Sequence, residues 1–262
     1  MKVRFPALLT LASLGAIRAA FADPQEGRWS TTILAGAEFV PRSEFQGPDN
    51  GQLIDLGALD PALLGSTGTT SVDRLSYRDA FRTGGALGFE TSYDSSANLE
   101  SYFRLGFDEL RGRGLQLGDI SSSAFSSPAP LDANFNDLKS VDFTLGERYY
   151  FLDSGSFRPF VSGFVGADHT DALRARFTST PLQFDSGSAL LLPSATRFDA
   201  GLEGGASYGC TDRTALQFKL GLDYVTARHA DSAALAPLGL SELSLREPRW
   251  SVPAEVGVTY RF

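Results

Sequence analysis

Residues 250–262 read WSVPAEVGVTYRF, and this stretch indicates how the whole chain folds. Every second residue in it is apolar, and the residues between are polar, small or proline. The apolar series is Trp250, Val252, Ala254, Val256, Val258, Tyr260 and Phe262. Because the side chains of a β-strand point to opposite faces in turn, one face of this strand is wholly apolar and the other is not. The stretch therefore predicts a strand that meets an apolar environment on one side only.

Seven segments upstream show the same period of two. They are residues 29–40, 81–93, 99–107, 141–151, 157–168, 198–208 and 216–224. A β-strand that crosses a membrane at a tilt needs roughly 9–11 residues, which these lengths match. The orientation of segment 157–168 stays open at this stage, because Val161 and Val165 lie on one of its faces and Phe160 and Phe164 on the other.

The connections between the eight segments alternate strictly between short and long. Three are short turns rich in Asp, Ser and Gly, and four are long, at residues 41–79, 111–140, 169–196 and 226–249. Short periplasmic turns and longer extracellular loops are typical of membrane barrels. We therefore predict an all-β fold, an eight-stranded antiparallel up-and-down transmembrane β-barrel over residues 23–262. Segment 250–262 should close this barrel against segment 29–40.

Aromatic residues at both ends of the segments favour the same topology, because membrane barrels carry aromatic girdles at their two interfaces. The predicted girdle residues are Trp29, Phe39, Phe81, Tyr93, Phe107, Tyr149, Phe151, Phe198, Tyr208, Tyr224, Trp250, Tyr260 and Phe262. A soluble barrel would turn its apolar face inward, and no girdles would be expected in it.

The faces opposite the apolar ones carry charges of both signs, which we predict to line the lumen. The predicted lumen charges are Glu38, Arg82, Glu90, Glu100, Arg104, Asp108, Asp142, Arg148, Asp199, Glu203, Lys219, Asp223, Glu255 and Arg261. The interior of an eight-stranded barrel is just wide enough for its own side chains, so we expect these charges to pair and fill it. A narrow polar conduit is the alternative.

The N-terminal residues predict export. Lys2 and Arg4 precede an apolar run at 5–17, and Ala20-Phe21-Ala22 offers small residues for a signal peptidase, so residues 1–22 are a predicted signal peptide. Arg18 leaves the exact cleavage site open. Loss of these three basic residues takes the formal charge from −8 to about −11, which argues against nucleic acid as a partner.

One hairpin resembles a known family. Residues 145–151 read LGERYYF, and FRPF at 157–160 with Gly163 and Gly166 follows. This pattern is similar to the "GxRYYF…RPY…GxG" hairpin of the small bacterial outer-membrane β-barrel superfamily, which includes OmpA-type transmembrane domains, opacity-type proteins and OmpW-like proteins. The resemblance implies the cell outer membrane as location, with its lipid and the barrel assembly machinery as partners. It also implies an assembly signal at Val256, Val258, Tyr260 and Phe262.

No residue pattern predicts a catalytic, cofactor or metal site. His229-Ala230-Asp231-Ser232 brings an imidazole, a carboxylate and a hydroxyl together, but in a long loop. Lipid A deacylases of this architecture keep His and Ser on a strand, so a lipid-modifying enzyme is only a remote alternative. His169 and His229 have no third metal ligand at suitable spacing. Cys210 is the only cysteine and is expected to be a free thiol in a turn.

Two functions of different classes remain. The first is a structural or surface-interaction protein, a monomer that displays four long extracellular loops over a plugged lumen. Its loops are longer than hairpins require. The second is a narrow channel or transporter for small or lipophilic solutes. The sequence does not identify the extracellular ligand.

Overall fold

The computed structural model describes residues 27–40, 44–46, 49–227, 238 and 248–262. The predicted signal peptide, residues 1–22, and His229 lie outside the described residues. The strands are, in chain order, β1 (Trp29–Phe39), β2 (Glu44–Gln46), β3 (Asp49–Asp55), β4 (Thr67–Val72), β5 (Leu75–Ser76), β6 (Phe81–Asp94), β7 (Leu99–Gly112), β8 (Gly114–Ser121), β9 (Ala129–Phe135), β10 (Leu138–Tyr150), β11 (Phe157–Thr170), β12 (Leu173–Ser179), β13 (Phe184–Asp185), β14 (Ala189–Leu192), β15 (Ala195–Gly209), β16 (Thr214–Val225) and β17 (Arg249–Arg261). Three short helices accompany them, α1 (Tyr77–Ala80) and two 3₁₀ turns, Leu56–Ala58 and Pro61–Leu63.

Eight of these strands close into an antiparallel up-and-down barrel in the order β1, β6, β7, β10, β11, β15, β16 and β17. The last strand pairs with the first, from Ser30 opposite Arg261 to Phe39 opposite Val252. Every strand of the barrel overlaps one of the eight alternating segments, so the predicted fold class and strand number are confirmed. Closure removes the free sheet edges that would otherwise leave backbone groups unpaired.

The two ends of the barrel differ in how the strands are joined. At the "turn end" the connections are residues 95–98, 151–156 and 210–213. At the "loop end" lie the long connections, and three of these contain regular structure that the sequence analysis did not predict. In the described part of the chain, no helix is long and apolar enough to cross a bilayer.

The first three long connections form a second sheet beyond the loop end, where the sequence analysis expected loops. Strands β3, β4, β8, β9, β12 and β13 pair side by side, and β14 pairs with β12. We call these seven strands the cap sheet. They enclose a hydrophobic core that includes Leu56, Ile120, Leu131, Phe135, Leu173, Phe177, Leu182 and Leu192. The expectation of simple loops is therefore wrong for the described parts of these three connections.

The cap strands follow from the same alternation as the barrel strands. In β12, Leu173, Ala175 and Phe177 are buried, whereas Arg174 and Arg176 between them are exposed. In β9, Leu131 and Phe135 point inward in the same way. Burial of one face against a shared core is what an antiparallel sheet needs when its other face meets water.

A β-bulge near the start of β6 reverses the predicted facing of two residues. The register of β6 against β7 shifts between Arg82 and Gly85. An extra residue turns the side chains that precede it to the opposite face. Phe81 is therefore 3% exposed and packs between Tyr77 and Phe135 in the cap core, with ring centroids at 6.0 and 6.1 Å. Arg82 lies on the outer surface, so Phe81 is no girdle residue and Arg82 no lumen charge.

The outer wall of the barrel is apolar and the inner wall is polar. Large exposed apolar side chains such as Ile33, Phe89, Leu202 and Phe218 cover the outside. On β11, Val161 and Val165 point outward, and Phe160 and Phe164 point into the barrel, which resolves the open orientation of this strand. An apolar belt this extensive on a closed barrel is the surface of a transmembrane β-barrel.

Candidate functional site

The structure places thirteen of the fourteen predicted lumen charges inside the barrel, and Arg82 is the exception. The thirteen are Glu38, Glu90, Glu100, Arg104, Asp108, Asp142, Arg148, Asp199, Glu203, Lys219, Asp223, Glu255 and Arg261. Five more charged residues are buried with them, Asp94, Arg158, Asp168, Arg197 and Arg249. Three of these lie one residue beyond the ends of the predicted segments, and the other two belong to β11, whose facing had been open. Longer segments with the same alternation would have found Asp94, Arg197 and Arg249, whereas Arg158 and Asp168 needed the facing of β11.

Arg148 is the centre of a layer of charges in the half of the barrel nearer the turn end. Its guanidinium donates to both oxygens of Glu90 at 2.9 and 3.0 Å, and also to Glu100. The rings of Tyr102 and Phe160 lie 4.8 Å from the guanidinium carbon. Arg148 is 1% exposed, so this cation is held entirely by carboxylates and ring faces.

A second layer of charges spans the barrel at mid-height. Nζ of Lys219 lies 3.4 Å from Glu90, 3.7 Å from Glu203 and 3.3 Å from Glu255. Arg104 contacts Glu203 at 2.5 Å and Glu255 at 3.6 Å, with the ring of Phe164 4.9 Å away. Because Lys219 contacts Glu90 of the first layer, the two layers form one network across the interior.

At the loop end, two arginines share one carboxylate. Arg197 donates to Asp168 at 2.8 Å, and Arg249 lies 3.4 Å from the other oxygen of Asp168. Arg249 also lies 3.7 Å from Glu38. These contacts join β1, β11, β15 and β17 just below the cap sheet.

Arg158 closes the turn end. Its guanidinium donates to the carbonyl of Leu152 at 3.1 Å and to that of Ala97 at 2.6 Å. Leu152 and Ala97 belong to different short connections, and the ring of Tyr150 lies 3.8 Å below the guanidinium carbon. One side chain therefore ties two turns together over the barrel opening.

A cavity lies between the mid-height layer and the loop-end layer. It is lined by seven carboxylates and two arginines, and its volume is about 40 Å³. That volume holds about three waters. Among the described residues, side chains fill the charged layers, and this acidic cavity lies between two of those layers.

The structure places twelve of the thirteen predicted girdle residues on the outer wall, with Tyr224 half-buried there and Phe81 in the cap core. Trp29 packs against Tyr93 at the turn end, with ring centroids 5.1 Å apart. Tyr224 packs against Trp250 at the loop end at 4.9 Å. The residues of the predicted assembly signal, Val256, Val258, Tyr260 and Phe262, are all exposed on this wall. Their role as a signal stays a prediction.

The other candidate groups lie away from the interior. Nδ1 of His169 is 2.9 Å from the hydroxyl of Thr196 on the outer surface. Cys210 is a half-buried free thiol in a turn-end connection. Among the residues that the structure describes, no three histidine, cysteine or acidic side chains form a ready-made metal cluster.

The cap sheet carries one exposed ion pair. Asp185 accepts hydrogen bonds from Arg176 and from the backbone N–H of Gly187, and the Arg176 contact lowers the pKa of Asp185 to about 2. A lowered pKa in the folded state adds stability above the unfolded pKa and loses it as the pH falls toward 2. Both side chains are solvent-exposed, so the pair contributes little.

No protein-family model matches the sequence, and no curated protein matches it. Solved structures resemble the fold at low identity. Ail, the attachment invasion locus protein of Yersinia pestis, is 13% identical over 91% of this chain and 100% of its own, with a TM-score of 0.42. A major outer membrane protein from Thermus thermophilus is 16% identical over 89% and 99%, with a TM-score of 0.44. The outer membrane protein OprG from Pseudomonas aeruginosa is 13% identical over 90% and 97%, with a TM-score of 0.39. The likeness is one of fold.

Proposed function

We propose that this protein is an outer-membrane barrel of the structural and surface-interaction type, which presents its cap sheet to the exterior as a rigid binding platform. The observation that carries the proposal is the cap sheet itself. Seven strands built from three connections share one apolar core directly above the barrel.

An ordered cap exceeds what connecting the barrel strands requires. Loops between adjacent strands need only a few residues, and fixing each additional residue costs about 1–2 kcal/mol of conformational entropy. Here buried side chains such as Leu131, Leu173 and Phe177 offset that cost by leaving water. A surface that is already ordered loses less entropy when a partner binds, which favours a binding role for it.

The filled interior favours the same function. The network from Glu100 through Arg148, Glu90 and Lys219 to Glu255 crosses the barrel with contacts of 3.4 Å or less. Arg158 adds a closure at the turn end. A channel would need these ion pairs to separate, and each separation leaves a buried charge uncompensated.

A narrow conduit for small cations is the second candidate, because the acidic cavity lies inside the barrel and is lined mainly by carboxylates. Planar-bilayer recording on the purified, refolded protein separates the two functions. We expect no stable conductance steps from the native chain. A variant that removes the residues linking the two lower layers, Glu90→Ala/Arg148→Ala/Lys219→Ala, should give steps and serves as the positive control once altered gel migration before boiling shows that it folds. Reproducible openings of the native chain would favour the conduit.

Cysteine labelling in intact cells tests which end of the barrel faces outward. Ser123 lies in the exposed turn between β8 and β9 of the cap, and Ser154 lies in an exposed turn-end connection. In a Cys210→Ser background, a membrane-impermeant maleimide should label Ser123→Cys in intact cells and Ser154→Cys only after the envelope is opened. Labelling of Ser154→Cys alone in intact cells would place the cap in the periplasm and contradict the platform.

Export and insertion complete the proposal. Residues 1–22 serve as the signal peptide, and the mature chain starts at Asp23. The barrel assembly machinery reads the terminal strand through Val256, Val258, Tyr260 and Phe262. In support, these four side chains form one exposed apolar row on the outer wall, at the seam where β17 meets β1.

A further inference from the structure

The acidic cavity has far more negative than positive charge. Its carboxylates are Glu38, Asp108, Asp142, Asp168, Asp199, Asp223 and Glu255, and its cations are Arg104 and Arg249. Glu255 pairs with Arg104, and Arg249 pairs with both Glu38 and Asp168. Among the residues that the structure describes, the other four carboxylates have no cation within salt-bridge distance.

Buried oxygen atoms in this cavity also lack hydrogen-bond partners within the described residues. Asp199 is 5% exposed and its Oδ1 has none, and Glu38 is 3% exposed and its Oε2 has none. Oδ1 of Asp223 is also buried and also lacks a hydrogen-bond partner among the described residues. A buried carboxylate oxygen without a partner is unfavourable because it has lost its hydration, so atoms of this kind that line one cavity indicate a missing partner.

Two glycines give the carboxylates their room. A Cβ atom on Gly106 would overlap the carboxylate of Asp142, and one on Gly201 would lie 2.6 Å from Oδ1 of Asp223. Asp142 and Asp223 thus lean over the neighbouring strands, β7 and β15, along the inner wall. Any side chain larger than glycine at these two positions would push the carboxylates out of place.

We propose that the acidic cavity binds one divalent cation of the Ca²⁺ type. Such a hard cation takes six to eight oxygen ligands from carboxylates and waters, and the cavity offers Asp142, Asp199 and Asp223 together with room for about three waters. The described side chains do not yet converge on one point, so the aspartates turn inward when the ion binds. Of the residues that the structure describes, no histidine or cysteine lines the cavity, which disfavours softer metals.

The layers above and below would hold the ion inside. Arg104 and Lys219 with their glutamates form the floor, and Arg249 and Arg197 with Asp168 form the ceiling. The ion therefore enters most readily while the barrel folds. It would neutralise repulsion among the four unpaired carboxylates and stabilise the loop-end half of the barrel.

The test is refolding in the presence of a labelled ion. Protein unfolded in urea with EDTA is refolded in detergent, and equilibrium dialysis with ⁴⁵Ca²⁺ measures the bound ion. We expect about one Ca²⁺ per chain, a higher Tm in Ca²⁺ than in EDTA, and weaker binding of Mg²⁺. Asp142→Asn/Asp199→Asn should weaken Ca²⁺ binding by about tenfold or more, since it removes two charged ligands of nearly the same shape.

The matched control is Asp212→Asn, which removes an exposed carboxylate from a turn-end connection and should bind Ca²⁺ as the native chain does. Gel migration before boiling reports whether each variant folds, and Asp199→Asn alone replaces the double variant if that one fails.

Absence of bound Ca²⁺ on folded protein at millimolar concentration would overturn the proposal, as would equal binding by the native chain and the asparagine variant. If the protein binds no Ca²⁺ and the asparagine variant is more stable than the native chain in EDTA, protons rather than a cation neutralise the unpaired carboxylates. That result would also overturn the proposal. Mg²⁺ binding as tight as Ca²⁺ would overturn the assignment to the Ca²⁺ type.

Discussion

Arg148→Met should destabilise the barrel by about 3–5 kcal/mol, the range for removing one partner of a buried ion pair. The substitution leaves Glu90, which is fully buried, and Glu100, which is 6% exposed, without their shared cation. The rings of Tyr102 and Phe160 lie against the Arg148 guanidinium, and methionine keeps an apolar side chain of similar length there, so the loss reports mainly the missing cation. Lys219 lies 3.4 Å from Glu90 and compensates only part of it.

Urea unfolding of the refolded protein in lipid vesicles measures the effect. The only two tryptophans, Trp29 and Trp250, both lie on the outer wall of the barrel, so their fluorescence follows the membrane-embedded part. Glu90→Gln in the Arg148→Met background should recover part of the lost stability, because it removes one of the two uncompensated carboxylates.

Arg176→Met is the matched control. It breaks the solvent-exposed pair with Asp185 in the cap and should have a much smaller effect, because water screens that pair. If Arg148→Met and Arg176→Met had equal effects, the network would not stabilise the barrel.

The strands of the barrel could be predicted because alternation carries its own physical reason. A wall with lipid outside and packed charges inside forces period two on every strand, and the terminal strand with Trp250 and Phe262 shows it most clearly. The same alternation also predicted that most of the charges, including Arg148 and Lys219, point into the barrel. The bulge in β6 was missed although Gly84 and Gly85 lie in it, because a glycine inside a strand only suggests a bulge and the pairing with β7 is what reveals the extra residue. Phe81 and Arg82 were misplaced for that reason alone.

The cap sheet was missed although its signal is present in the sequence. Leu173, Ala175 and Phe177 alternate with charged or polar residues as regularly as any barrel strand. The lengths of these connections match the way membrane barrels sort short turns and long loops, and this stronger pattern concealed the alternation of the short strands inside them. The acidic cavity lay beyond prediction for a different reason. The alternation of side chains along a strand shows which side of the wall a carboxylate faces, but it does not show which carboxylates lack a cation.

Phe177→Ala should unfold the cap sheet and leave the barrel folded. Phe177 is 1% exposed in the cap core, and truncation of a buried phenylalanine costs about 3–5 kcal/mol. Among the described residues, the cap core meets the barrel strands only through residues at their loop ends, such as Phe81, Leu110 and Leu138, whereas Phe177 lies in β12 of the cap, so we expect the loss to fall on the cap. Local unfolding of one cooperative unit without the other is the expected result.

Hydrogen exchange and limited proteolysis of the refolded protein separate the two units. In Phe177→Ala, amides of β9 and β12 should exchange faster and protease should cut the cap, while tryptophan fluorescence and gel migration before boiling stay native. Phe218→Ala is the matched control, because Phe218 is 50% exposed on the outer wall and lies in the membrane belt. That variant should leave the hydrogen-exchange protection of the cap unchanged.

If Phe177→Ala instead unfolded the barrel together with the cap, the two sheets would form one cooperative unit. A platform that holds its shape through its own core requires the opposite, since the cap must be stable by virtue of residues such as Phe177 rather than by its attachment to the wall.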